Sequence, residues 1–260
     1  MRTCSSISEV MHDEQEAGYS FLRGRTALVT GASSGIGRAI AVALAREGAH
    51  ILAVGRSSAG LAETVTMAGN PSTMTELRTD LTVQSDLDQM MERLSSLPKI
   101  DVLVHAAGII HQCRMQDATV EEFDAQYATN VRAPYLLTKR LLPALTASRG
   151  QVVFINSSAG LHAARADVGQ YAATKHALRA IADSLREELN PRGVRVLSVY
   201  VGRTAGPMQE RLFREEGRSY HPETLLQPED VAAIVLNTLK LPPTAEVTDI
   251  SVRPMMKAVF

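Results

Sequence analysis

Cysteine is scarce in this chain: Cys4 and Cys113 are the only two among 260 residues. Neither stands in a metal-ligand spacing, and two unpaired thiols suit a reducing compartment, so the expected location is cytoplasmic. Apolar runs of the roughly 18 residues that a membrane helix needs are missing. Excess charge is missing as well. Lys and Arg number 27 against 28 Asp and Glu, a formal net charge of −1, which is not the basic footprint of a nucleic-acid binder. The first twenty residues carry Glu9, Asp13, Glu14 and Glu16 but neither the apolar stretch of a secretory signal nor the arginine bias of a transit peptide. We expect residues 1–22 to be a disordered polar leader, and no membrane or nucleic acid among the partners.

What remains is the composition of a soluble globular protein, 45% hydrophobic and 21% charged. Short runs rich in Val, Ile and Leu predict strands at Thr26–Thr30, His50–Val54, Met74–Arg78, Val102–His105, Gln151–Ile155, Val194–Val199 and Val247–Val252. Nearly continuous apolar character suits parallel strands buried on both faces. Helical periodicity predicts helices at Ile36–Glu47, Ser57–Ala68, Ser85–Ser95, Glu121–Leu145, Tyr171–Leu189 and Pro228–Leu239. Strand and helix in repeated alternation imply an α/β fold: a single-domain, Rossmann-like, doubly wound parallel sheet of about seven strands with helices on both faces. The segment 202–222 breaks the rhythm with Gly, Pro and charge around Met208, Leu212, Phe213 and Tyr220. Placed after a strand end, it reads equally as a substrate lid or as an ordinary surface helix.

The first predicted strand runs into Gly31, Ala32, Ser33, Ser34, Gly35, Ile36 and Gly37, and a helix follows. Glycines let a backbone turn sharply and approach a pyrophosphate, and the helix N-terminus then offers free N–H groups. About 140 residues later, Tyr171 and Lys175 stand four apart at a helix start, on one face. A phenol titrates near 10, and a nearby ammonium favours its ionised form, so the pair suits acid/base chemistry.

The TGxxxGIG spacing resembles the short-chain dehydrogenase/reductase family, and the likeness extends from Gly24 to about Pro254. It implies that residues 23–260 form one NADP(H)-binding oxidoreductase domain acting on a carbonyl or alcohol. It also implies a catalytic set of Asn130, Ser157, Tyr171 and Lys175. Ser157 follows from aligning the strand with Gly160; counting back from the tyrosine points instead to Ser158. By the same resemblance Asn130 anchors a water that relays protons to Lys175, and Lys175 also bonds the nicotinamide ribose. Asp80 and Leu81 then face the adenine, with a simple turn cap as the competing role for Asp80. Ala107 and Gly108 let the cofactor ribose come close, while His105 stands where the family has Asn and is expected to be structural.

Choice of cofactor rests on the end of the second strand. No carboxylate stands there to hold a ribose 2′-hydroxyl, and Arg56 is available for a 2′-phosphate, with Arg38 adding to the field. NADP(H) is the expected cofactor. The chain departs from the family after the sixth strand, where Val201 replaces a proline and Gly206 a threonine that hold the nicotinamide end. Thr204 is near but out of register and is assigned to the cofactor set. A homodimer or homotetramer is implied, pairing the helices at Glu121–Leu145 and Tyr171–Leu189. The alternative is a non-enzymatic NADP(H) sensor on the same fold.

Overall fold

The computed structural model describes residues 20–256. Seven strands form one sheet: β1 (Thr26–Thr30), β2 (His50–Gly55), β3 (Met74–Arg78), β4 (Val102–His105), β5 (Gln151–Ser157), β6 (Arg195–Val201) and β7 (Asp249–Val252). Every pairing is parallel, in the order β3-β2-β1-β4-β5-β6-β7. The chain builds outward from β1 to β3, returns to lay β4 on the other side of β1, and builds outward again. That reversal opens a crevice beyond the carboxyl ends of β1 and β4.

The helices between strands are α1 (Gly35–Arg46), α2 (Ser58–Ala68), α3 (Gln84–Leu94), α4 (Val120–Tyr127), α5 (Ala133–Ser148), α6 (Gly169–Leu189), α7 (Pro207–Glu215) and α8 (Pro228–Leu239). Both sheet faces are covered, which is why the strands read as continuous apolar runs. Ala27 and Val29 of β1 join one core with Ile40 and Leu44 of α1 and Val231 and Val235 of α8. Leu28, between them, points the other way, into a second core with Leu137 and Leu141 of α5 and Leu178 of α6.

The structure refines the expectations at three places. The helix predicted at Glu121–Leu145 is two helices joined by a π-helical turn, Ala128–Arg132, in which Ala133 N–H donates to Ala128 O, five residues back. The segment after β6 contains α7, packed through Leu212 and Phe213. Of the expected leader, residues 1–19 lie outside the described residues, while Leu22 is fully buried and donates its N–H to Glu47 O at 3.1 Å. Burial of Phe21 and Leu22 against the first core draws the folded boundary N-terminal to residue 23.

Candidate active site

A cleft of about 700 Å³ lies at the sheet's reversal point. Its floor is the glycine turn. Gly31 and Gly35 adopt φ of 69° and 50°, left-handed conformations open to glycine at no steric cost. A Cβ on Gly37 would sit 2.4 Å from Gly31 O, and one on Gly31 would sit 2.8 Å from Ala107 N. The turn is therefore packed to backbone contact, with Ser33, Ser34, Ile36 and the start of α1 facing the cleft. This cradle fits a dinucleotide pyrophosphate: the backbone is stripped of side chains where a phosphate would lie, and a helix N-terminus points at it.

Arg56, exposed at the end of β2, lines the same cleft beside Ser57. Arg38 does not add to it. Its guanidinium pairs with Glu63 at 2.7 Å and donates to Ser33 O at 2.6 Å, tying α1 to α2. A carboxylate that close cancels the field Arg38 was expected to supply. Asp80 and Leu81 line the far end, with Ala107 and Gly108 between. Asp80 Oδ1 accepts from both Thr82 N (2.9 Å) and Thr82 Oγ1 (2.7 Å), so the turn-capping role is realised alongside its place in the cleft. Burial would raise its pKa, but these bonds and the Arg56 charge hold it below the ordinary value.

At the other end, β5 runs two residues beyond the predicted strand and delivers Ser157 to the cleft. Ser157 lies close enough to Tyr171 to lower the pKa of its phenol, and the Ser157 hydroxyl accepts from Ala159 N at 3.2 Å. Ser158 starts a 3-10 turn, and its carbonyl accepts from Leu161 N and His162 N. Of the two adjacent serines, the geometry places Ser157 against the tyrosine.

Lys175 and Asn130 lie beneath the cleft, 5% and 1% exposed. The Lys175 ammonium stands 5.7 Å from the Tyr171 ring centroid and donates to Ile155 O at 3.1 Å. Asn130 sits on the π turn. Its Oδ1 accepts from Ile109 N and its Nδ2 donates to Ile109 O, both at 2.9 Å, with a further bond to Thr174 Oγ1 at 3.1 Å. The distorted helix thus clamps the loop after β4 to the residue preceding Lys175.

Electrostatics correct one expectation. Burial pushes the Tyr171 phenol up to about 12, with the Ser157 hydrogen bond opposing. Burial also pulls the Lys175 ammonium down to about 8. The lysine lies over the ring and is held by a carbonyl, so desolvation outweighs its pull on the phenol. His105 is buried, with its ring stacked on Phe154 at 4.9 Å and Nε2 at 2.8 Å from Thr138 Oγ1. That is the structural role expected of it.

Thr204 lines the cleft, but its hydroxyl bonds Gly202 O at 3.2 Å. Sequence reasoning missed the side chains that close this end. Gln112, His162, Arg165, Arg203 and Gln209 also line it. Their only signal was membership of loops that follow strands at the carboxyl edge.

Among the described residues no helix is long and apolar enough to cross a membrane. The short chain dehydrogenase family model matches residues 25–217. An uncharacterized short-chain type dehydrogenase/reductase of Sinorhizobium fredii is 34% identical over 242 residues, covering 91% of this chain and 94% of its own. A Beutenbergia cavernae protein, named provisionally as an NAD(P) dependent gluconate 5-dehydrogenase and solved with bound NADP, superposes with a TM-score of 0.79. It is 30% identical over 90% of this chain and 97% of its own. A 3-ketoacyl-(acyl-carrier-protein) reductase from Brucella melitensis, solved with NADH, gives 0.77 at 28% identity, covering 89% and 97%. With the glycine cradle at the sheet's reversal and the tyrosine–lysine helix beside it, the chain belongs to the short-chain dehydrogenase/reductase family of oxidoreductases.

Proposed function

We propose that this protein is an NADP(H)-dependent oxidoreductase that interconverts a carbonyl and a secondary alcohol, with Tyr171 as general acid/base. The observation that carries it is the placement of Ser157 beside Tyr171 in one cleft, above a buried Lys175. The glycine turn and Arg56 would hold NADPH, which would supply the hydride that reduces the carbonyl carbon. Ser157 and Tyr171 hold the carbonyl oxygen by hydrogen bonds, and Tyr171 gives it a proton as the alcohol forms. Lys175 favours the resulting phenolate, and its ammonium is the proton source for restoring Tyr171. Asn130 fixes the loop and helix on which this depends. Burial keeps Tyr171 protonated at neutral pH, the state that reduction requires.

NADP(H) over NAD(H) is supported by Arg56 in a cleft wall whose β2 end has no carboxylate. Solved relatives carry either cofactor, so the preference rests on that wall. The substrate is a small to medium, partly apolar molecule, since Ile110, Met208 and Leu212 line its end beside Gln112 and Gln209. A homodimer or homotetramer would pair the faces of α4–α5 and α6, where Phe123, Tyr127 and Ala173 are exposed. Cytoplasmic location is part of the same proposal.

Fluorescence titration with NADPH and NADH, then a panel of aldehydes and ketones, tests this reading. We expect preferential NADPH binding, and a Tyr171→Phe variant that binds cofactor but loses about 10²–10⁴-fold in turnover. Turnover unaffected in Tyr171→Phe would sink the mechanism. Tight NADPH binding with no turnover of any carbonyl would favour the sensor reading, toward which Gly206 in place of a threonine leans.

A further inference from the structure

The loop after β6, which leaves the strand at Val201 and includes Gly206, is held at many points. Gly206 has φ of 145°, a conformation in which a threonine would be strained, and its N–H donates to Tyr220 Oη at 2.9 Å. Ala205 N donates to Leu226 O at 2.7 Å, and Leu226 N to Arg203 O at 3.1 Å. The guanidiniums of Arg203 and Arg218 lie over the Phe213 ring, at 4.9 and 5.0 Å. These contacts stiffen the loop and α7 as one unit, and Arg211 of α7 donates to Ile110 O, in the loop after β4, at 2.7 Å.

Glu216, the residue after α7, fixes that unit to the opposite wall, on the loop before α6. Its side chain is only 12% exposed. Oε1 accepts from Arg203 Nη2 at 2.5 Å and from Arg165 Nη1 at 3.0 Å, while Oε2 accepts from Arg218 Nη1 at 3.3 Å. Arg203 belongs to the loop after β6. Arg165 belongs to the loop between β5 and α6, which leads into Tyr171, and Asp167 aims it through two bonds at 2.6 and 3.0 Å. Both arginines line the cleft. One carboxylate therefore ties two walls of the site together, through residues 51 positions apart. Burial would raise the carboxyl's pKa, but the hydrogen bonds and charges of Arg203 and Arg165 hold it below its ordinary value, so the brace is ionised at neutral pH.

We propose that Glu216 is a positioning residue: by bridging Arg203 and Arg165 it clasps α7 and its loop across the cleft, over the nicotinamide end of the cofactor and the substrate. The inference rests on the function proposed above. A lone exposed ion pair contributes little, but charge-assisted bonds shared by two guanidiniums at a half-sealed carboxylate are stronger and persist in salt.

Glu216→Gln keeps the shape and removes the charge, and Glu215→Gln, one position earlier, is the matched control. Glu215 is half exposed and pairs only within its helix, with Arg211, among the bonds described. For Glu216→Gln we expect the NADPH dissociation rate and the carbonyl KM each to rise about tenfold, with kcat within about twofold of wild type. Hydrogen exchange on the cofactor-free protein should accelerate in residues 161–168 and 203–216 together. Glu215→Gln should do neither. Unchanged dissociation and exchange in Glu216→Gln would overturn the clasp. So would faster exchange spread over the whole sheet with a lowered Tm, which marks a general structural role. The exchange arm needs no cofactor, so it decides the clasp even if wild-type protein fails to bind NADPH, a failure that would instead overturn the proposed function.

Discussion

Lys175 is a cation held almost out of water, and its ionisation sets a pH limit on the proposed chemistry. Burial depresses its pKa to about 8 and raises that of Tyr171 to about 12. Reduction needs both groups protonated, so the lysine fails first as pH rises. We expect kcat/KM for reduction to hold through neutrality and fall above about pH 8, where Lys175 loses its charge. A guanidinium stays charged past pH 12, so in Lys175→Arg the fall near 8 should vanish, whatever the drop in absolute rate. A fall at the same pH in that variant would assign it to another group. At this scale much was legible in the sequence, because Tyr171 and Lys175 share a helix face and Ser157 ends a strand. Arg38 was not: the carboxylate that neutralises it, Glu63, lies on another helix. Glu216 and Arg165 were invisible for the same reason, since neither belongs to a local pattern and their meeting is a product of the fold.

The elements follow apolar runs that the sheet's two covered faces require, and all seven strands were legible to within two residues at either end. Helix starts were equally clear where a cap or glycine marks them, as with Ser57, which accepts from Gly60 N at 3.1 Å before α2. The type and bounds of the π turn at Ala128–Arg132 were not, since the apolar period runs on through it. What marks it is Asn130, whose side chain replaces backbone partners for Ile109. The glycine turn is the element on which cofactor binding depends most directly. In Gly37→Ala the added Cβ would meet Gly31 O at 2.4 Å, backbone against backbone, so the turn must open. We expect NADPH affinity to fall at least about tenfold, a loss of roughly 1.4 kcal/mol, with far-UV circular dichroism retained. Gly169→Ala, at the start of α6 with nothing within 4 Å of its Cβ, should bind as wild type. Equal affinity in both variants would remove the turn from the binding site.

For the molecule as a whole, two cores meet at one sheet, and an ionisable group sits in the middle of the stack. His105 on β4 packs against Phe154 of β5 and Thr138 of α5, 4% exposed, so the layers close over a neutral imidazole. Burial lowers its pKa from 6.5 to about 3. Between those values the unfolded chain binds a proton that the folded chain refuses. Folding stability contributed by the neutral ring is therefore complete above about pH 6.5 and is lost as pH falls toward 3. A difference of this size is on the order of a few kcal/mol, a large share of a domain's total stability. Asp80 and Glu216, also held below their ordinary pKa, add to acid sensitivity in the wild type and in any His105 variant alike. His105→Asn removes the ionisable imidazole and leaves a neutral, smaller amide in its place. Followed by circular dichroism across an acid titration, that variant should unfold at a lower pH than wild type even if it is less stable at pH 7. An unchanged or higher acid midpoint would mean that the stack admits the charged ring, and that the sheet's centre is less sealed than its packing implies.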